Sequence, residues 1–239
     1  MLETTKQPVP STAELERIQI EYERRKREIP ADRYSWIRPV NRLSHSQVWR
    51  AAITALAGQG KFPFNDLSAL DIGCGMGSWL VEFVQWGASP DRVAGIDLMP
   101  YRTAEARRSL PQSDIRTGDA SQLPWEDATF DVVSQFGVFT SVLDSEMRRR
   151  MAAEMLRVVK PDGVILWYDF AYDNPQNANV RGMKAREVRD LFAGCQISLE
   201  RITLAPPIAR RVVPVSWILA LMLEKLPFLR THLLGTIRK

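Results

Sequence analysis

The stretch Leu70-Asp71-Ile72-Gly73-Cys74-Gly75-Met76-Gly77-Ser78-Trp79-Leu80 decides how this chain folds. An apolar run from Leu67 to Ile72 reads as a buried strand and meets glycines at alternate positions; beyond them Trp79, Leu80, Phe83 and Val84 have helical apolar spacing. The pattern predicts a strand, a tight turn and a helix. Glycines at such a turn admit positive φ and let the backbone come into contact with a ligand, which a Cβ would prevent. A ligand is therefore expected against this loop.

The spacing separates two ligand classes. A dinucleotide fingerprint, GxGxxG, needs its third glycine where this chain has Ser78; here it is Gly77, giving GxGxG after the acidic Asp71. Further on, the apolar run Val93-Ala94-Gly95-Ile96 ends in Asp97, 20 residues beyond Gly77. A carboxylate at that strand tip can accept hydrogen bonds from ribose hydroxyls, or cap the helix that Pro100 opens. Next come Arg116-Thr117-Gly118-Asp119-Ala120-Ser121-Gln122-Leu123-Pro124-Trp125, the strand Phe130 to Phe136, and a Lys160-Pro161-Asp162-Gly163 turn into the strand at Val164. With these elements in this order the chain resembles the class I S-adenosylmethionine (SAM)-dependent methyltransferases, closely over residues 48 to 170 and loosely elsewhere.

The resemblance implies an α/β fold: a Rossmann-like seven-stranded sheet, mostly parallel, with an antiparallel closing strand, helices on both faces and an N-terminal helical extension. Its last strands are expected at Ile197 to Leu204 and His232 to Ile237. Residues 1–47 are expected to form the N-terminal helix and lid segment and residues 48–239 the methyltransferase domain, together a single domain. The implied cofactor is SAM, leaving as S-adenosylhomocysteine (SAH). The implied cofactor-binding set is Asp71, Gly73, Gly75 and Gly77 in the loop, Asp97 with Leu98, Asp119 with Ala120, and Gln135, with Asp119 facing the adenine amino group.

Composition agrees with one sizeable α/β core: 239 residues, 45% apolar and 25% charged. The two cysteines, Cys74 and Cys195, have no CxxC or CxxH neighbours, so neither a disulfide framework nor a metal site is expected and a reducing cytoplasm is. The opening Met1 to Lys6 lacks the pattern of a signal peptide, which fits the same expectation. A net charge of +4 without a basic-aromatic motif predicts no nucleic-acid partner.

Three added segments are expected to carry substrate choice. Ser11-Thr12-Ala13-Glu14 has the form of a capping box and opens an amphipathic helix to Ile29, with Leu15, Ile18 and Tyr22 on one face; Glu23 to Glu28 reads as its solvated face. From Asp32 to His45, aromatic and charged side chains alternate ahead of a helix expected at Gln47 to Leu56, capped by Ser44. Such loops serve as ligand walls or lids, making Tyr34, Trp36 and Arg38 candidate acceptor contacts. His45, one of two histidines, is the first candidate base because imidazole titrates near neutrality. The second segment, Trp167 to Gly182, leaves the carboxyl end of a strand, and its Asp169, Tyr172, Asp173 and Arg181 are candidate hydroxyl partners. Asp169 and Asp144 are the alternative bases. The third, Ala205 to Lys225, holds an apolar run shorter than the roughly 20 residues of a membrane span. It is expected to pack between the last two strands, with Arg210 and Arg211 leaving weak peripheral contact with an anionic bilayer open.

The fourth strand ends in Ser134-Gln135-Phe136-Gly137 rather than the Asn/Asp-Pro-Pro-aromatic run of amino-directed members of the superfamily, which points to a hydroxyl or a small-molecule amine. The whole chain is similar to bacterial methyltransferases of polysaccharide and secondary-metabolite pathways, and that likeness implies O-methylation of a small-molecule or saccharide acceptor. A lipophilic acceptor such as a quinone or polyketide is the alternative, with RNA methylation and non-catalytic SAM binding behind it. Oligomeric state is not fixed by the sequence.

Overall fold

In the computed structural model, which describes residues 12–35, 37–175 and 177–239, strand periodicity sets the layers. The strands are β1 (Ala69–Ile72), β2 (Val93–Asp97), β3 (Asp114–Thr117), β4 (Phe130–Phe136), β5 (Val159–Phe170), β6 (Gln196–Leu204) and β7 (Arg230–Arg238). They form a seven-stranded sheet in the order β3-β2-β1-β4-β5-β7-β6. All neighbours from β3 to β5 are parallel, and β7 runs antiparallel to both β5 and β6. The order reverses between β1 and β4, and at such a switch point an open α/β sheet leaves a crevice at its carboxyl edge.

Alternate residues face opposite layers, as period-2 strands require. Leu70, Ile72, Val133, Ile165 and Trp167 pack on one face with Ile18, Met151, Met155 and Phe192, which belong to α1 (Thr12–Glu28), α5 (Ser145–Val158) and the residue after α6 (Ala185–Leu191). Ala69, Val132, Val164 and Leu166 pack on the other face against α2 (Pro39–Gly58) and α3 (Ser78–Gln85) through Val48, Ala52, Leu56, Leu80 and Phe83. Helix α4 (Pro100–Ser109) follows β2 and adds Ala106 to this second layer. A smaller cluster joins Leu43 of α2 to Leu204, Ala209, Val213 and Ala220, where α7 (Pro206–Val212) and α8 (Trp217–Glu224) connect β6 to β7. No helix among the described residues is long and apolar enough to cross a membrane.

Several local expectations change. Helix α2 begins at Pro39 rather than near Gln47, because proline's fixed φ suits the first helical position. Ser44 is therefore inside the helix, its Oγ donating to the Val40 carbonyl at 3.1 Å, and is not a cap. The division at 47/48 consequently falls in the middle of α2. The Lys160-Pro161-Asp162-Gly163 run is accommodated within β5 as a register shift opposite Phe130 and Val132. Ser11 of the expected capping box lies outside the described residues.

Candidate functional site

Gly73, Gly75 and Gly77 have φ of +66°, +57° and +87°, so the loop needs the conformations that glycine tolerates best. A Cβ on Gly73 would stand 2.4 Å from Val138 Cγ2, and one on Gly75 would stand 2.4 Å from Arg102 Nη2. Two of the close approaches inferred from the glycines are thus made by the protein's own side chains. Gly77 is the N-cap of α3, and the Cys74 N–H donates to the Ile96 carbonyl at 3.0 Å, tying the loop to β2. Behind the loop, Asp71 is buried and accepts from Ser134 Oγ at 2.7 Å. Burial pushes its carboxyl up to about 8, and the nearby Asp97 charge adds to the rise.

Asp97 is the electrostatic centre of the site. Its carboxylate accepts from the Gly75 N–H and the Met99 N–H, each at 2.9 Å, and Arg102 Nη1 stands 3.2 Å from Oδ2. The Met99 contact lies at the N-cap of α4, so part of Asp97's work is the local capping that its position allowed. The Arg102 guanidinium lies 5.1 Å from the centre of the Tyr22 ring, bringing α1 over the end of β2.

These groups border a cleft of about 670 Å³. Leu15, Ile18 and Tyr22 of α1 form its outer wall, Asp97, Leu98 and Met99 one side, and Asp119 with Ala120 the next. Phe136, Gly137 and Val138 close the far side, and Met147 and Met151 of α5 form the floor. Asp119 accepts from both the Ser121 N–H (2.8 Å) and Ser121 Oγ (2.7 Å), which holds its turn in shape. Of the expected set, the cleft brings together Gly73, Asp97, Leu98, Asp119 and Ala120. Gln135 is buried beside it: its Nε2 donates to the Tyr168 carbonyl (3.1 Å) and its Oε1 accepts from the Val138 N–H (3.0 Å), so it shapes the loop.

The helix α1 is pinned in place by charge. Glu14 accepts from the Leu143 N–H at 2.5 Å and the Asp144 N–H at 3.3 Å, and pairs with Arg17 at 2.7 Å. Arg17 in turn donates to the Ser141 carbonyl at 2.7 Å, and Asn179 Nδ2 donates to Glu21 at 2.8 Å. Burial raises the Glu14 pKa, but these donors outweigh it and hold the carboxyl below its usual range.

A row of rings crosses the carboxyl edge beside the cleft. His45 stacks on Trp79 (centroids 5.2 Å apart) and Trp79 on Phe136 (3.8 Å, 5° between planes). Tyr168 follows at 6.2 Å from Phe136, then His232 at 4.9 Å and Phe170 at 3.7 Å from His232. His45 Nε2 lies 3.2 Å from Glu82 Oε1, and Glu82 also accepts from Trp49 Nε1 at 2.9 Å. Trp79 and Phe136 link His45 to the cleft.

The other sequence candidates lie elsewhere. Asp169 is wholly buried and accepts from the Thr140 N–H (3.1 Å) and the Phe170 N–H (2.9 Å); burial raises its pKa to about 6. Asp144 caps α5 by accepting from the Met147 N–H at 2.8 Å. Asp173 accepts from the Gly182 N–H at 2.9 Å, Arg181 pairs with Glu187, and the exposed Tyr172 ring lies 5.2 Å from the Arg201 guanidinium. Arg38 is the N-cap of α2 and pairs with Asp32 at 2.8 Å. Tyr34 ends a 3-10 turn, Ala31–Tyr34, and is described by its backbone alone; Trp36 lies outside the described residues.

Arg102 was not among the sequence candidates, although a signal existed. A cation in the first turn of α4 opposes the helix dipole, so its presence there calls for an anionic partner, which Asp97 supplies.

Residues 70–167 match the model of a methyltransferase domain. A demethylmenaquinone methyltransferase of Roseiflexus castenholzii is 33% identical over 144 residues, covering 59% of this chain and 57% of that protein. The chain spans about half the length of the curated relatives it matches. Among solved structures, a SAM-dependent methyltransferase from Mesorhizobium loti superimposes with a TM-score of 0.60 at 18% identity, over 80% of this chain and 97% of that one. The [4+2]-cyclase SpnF superimposes with a TM-score of 0.58 at 21% identity, over 80% of each chain. These likenesses establish the fold, and the cyclase shows that the fold alone does not fix the reaction.

Proposed function

With residues 70–167 matching a methyltransferase domain and the fold that of a SAM-dependent methyltransferase, we propose that this chain transfers the methyl group of SAM to a planar, lipophilic small molecule bearing a nucleophilic oxygen or carbon. SAM supplies a methyl on a sulfonium already activated toward a nucleophile. The residues of the cleft fit it: Asp97 stands where ribose hydroxyls can donate to a carboxylate, and Leu98 and Ala120 give an adenine two apolar contacts beside Asp119. Asp71, Gly75, Gly77 and Gln135 hold the loop and the wall in shape around them.

The row of rings at the carboxyl edge carries the choice of acceptor. Phe136 belongs both to the cleft and to the row, and Trp79 already covers one face of its ring, so an acceptor against the cleft side of Phe136 would adjoin the cofactor. Aromatic faces favour flat, weakly hydrated ligands. The polar groups expected to hold a sugar, Asp169, Asp173 and Arg181, are committed to backbone amides or to Glu187. The demethylmenaquinone methyltransferases among the relatives point the same way. Saccharide O-methylation remains the second reading, since pyranose rings also stack on aromatic faces.

As the methyl arrives, a hydroxyl acceptor must lose its proton. His45 is the base we propose: Nε2, 3.2 Å from Glu82 Oε1, would carry the ring's own N–H, so the acceptor's proton would go to Nδ1 and the imidazolium formed would face the Glu82 carboxylate. The test is transfer of labelled methyl from SAM to a demethylated naphthohydroquinone, compared with a nucleotide sugar and bulk RNA. Label in the hydroquinone supports the reading, and label confined to the sugar or to RNA overturns it. His45→Gln should lower turnover at least about tenfold with SAH affinity unchanged, the pattern of an interaction made in the transition state. Full turnover would remove His45 from the chemistry.

A further inference from the structure

From α8 and the turns that flank it, we infer that this protein docks on the surface of an anionic lipid bilayer. A surface helix in water normally shows a polar outer face. Helix α8 has none before Glu224: Ala220 is buried and Leu221 and Leu223 pack inward, while Trp217, Ile218, Leu219 and Met222 stand outward. Val215, Ile218, Met222 and Phe228 are 82%, 72%, 61% and 74% exposed. More than half of the exposed large apolar side chains among the described residues fall within 215–228. Such a concentration marks an interaction surface.

Charge decides which partner fits. Residues 205–230, which hold this face, carry Arg210, Arg211, Lys225 and Arg230 against one acid, Glu224. That acid is neutralised by Arg50 at 2.9 Å. Arg210 and Arg211 end α7 and Lys225 follows α8, so exposed cations flank the apolar side chains at both ends of the element. Apolar side chains bordered by cations are what an interfacial helix presents to anionic headgroups. The element lies on the surface and does not span, because α8 covers only Trp217–Glu224.

Its placement is consistent with this. His232 pairs with both Phe170 and Ile202, so β6 hands the chain to α7 at the same edge at which β5 ends. The docking face and the row of rings therefore share the carboxyl edge of the sheet. The inference stands without the acceptor proposed above, because it rests on the exposed face and its charge alone.

Co-sedimentation of the full chain with vesicles tests it. Vesicles of equal parts phosphatidylglycerol and phosphatidylcholine should retain the protein at least about tenfold better than phosphatidylcholine alone, with the preference fading at high salt. Ile218→Asp/Met222→Asp/Phe228→Asp should lower retention at least about tenfold while SAH affinity and the melting temperature hold, since all three side chains are exposed. Arg210→Glu/Arg211→Glu should abolish the preference for phosphatidylglycerol. No retention, equal retention on both vesicles, or retention indifferent to the triple substitution overturns the proposal. So does a dimer in solution that the triple substitution dissolves while vesicles retain neither form, which would make a second copy the occupant of this face.

Discussion

Replacing Arg102 by methionine removes the guanidinium that stands 3.2 Å from Asp97 Oδ2 and keeps an apolar stem of similar length against Tyr22. At that separation, with an effective dielectric of about 20, the attraction is about 5 kcal/mol before desolvation is subtracted. Arg102 is partly buried, its side chain 25% exposed, so much of that is lost to desolvation, and the net value is that of a charged hydrogen bond, about 1.5–3 kcal/mol. A ribose that donates to Asp97 Oδ2 must displace this donor, because the Gly75 and Met99 amides already hold the carboxylate from the backbone. The pair therefore opposes binding by its net value. SAH, which lacks the sulfonium charge, should bind the Arg102→Met variant about tenfold to a hundredfold more tightly, at about 1.4 kcal/mol per tenfold. The ligand-free variant should melt about 3–8 °C lower, since the same contact stabilises the empty fold. Titration calorimetry and a melting curve measure both. Weaker SAH binding would mean that the guanidinium holds the ligand itself, and unchanged binding would mean that the ribose does not compete with Arg102 for Asp97 Oδ2.

Two further outcomes follow from buried carboxylates. Glu14→Ala should cost about 2–4 kcal/mol in urea unfolding and speed amide exchange in α1, because Arg17 and the Leu143 and Asp144 amides lose their acceptor; a cost under about 0.5 kcal/mol would show that α1 is held by its apolar face alone. Burial raises the Asp71 pKa from 3.8 to about 8, so the native state keeps a proton that the unfolded chain has lost, and stability should fall by about 1.5 kcal/mol from pH 6.5 to 8. Below pH 6.5 the trend is opposed by His232, whose burial lowers its pKa to about 3 and whose contribution is lost as pH falls. Asp71→Asn should flatten the upper window, and a slope that persists there would belong to another group.

The glycine loop and the strand-end carboxylate were legible because their requirements are imposed on the backbone. Positive φ at Gly73, Gly75 and Gly77 restricts residue type, and Asp97 must sit at a strand tip at a set distance along the chain, so both leave a mark in one dimension. The sheet was legible for the same reason, through apolar runs of strand length. What the spacing could not show was which side chains would meet over the loop. Tyr22 and Arg102 come from helices 80 residues apart in the chain, and only the docking of α1 through Glu14 and Glu21 brings them together. The segment 32–45, expected as a lid, is helical from Pro39 on, because Pro39 starts α2 early and draws Arg38 into its cap.

On the acceptor side the error was one of parity, and the parity was in the sequence. Along β5, Ile165, Trp167 and Asp169 share a face, and the first two are packed into the layer of α5. Asp169 follows them inward to the Thr140 amide and cannot be an exposed base. Leu166 and Tyr168 share the opposite face, the layer of α2 and α3, where Phe136 and Trp79 also pack. Counting by twos from Trp167 thus puts the Asp169 carboxylate in the layer of α5 and the Tyr168 ring, its hydroxyl bonded to Thr203 at 3.1 Å, in the layer of α2 and α3. The cleft opens toward α1 and α5 and the rings stand on the layer of α2 and α3, so the carboxyl end of β4 lies between them. Phe136 occupies that end and takes part in both, so its ring stands between the cleft that Asp97 borders and the row that runs on through Trp79 and Tyr168.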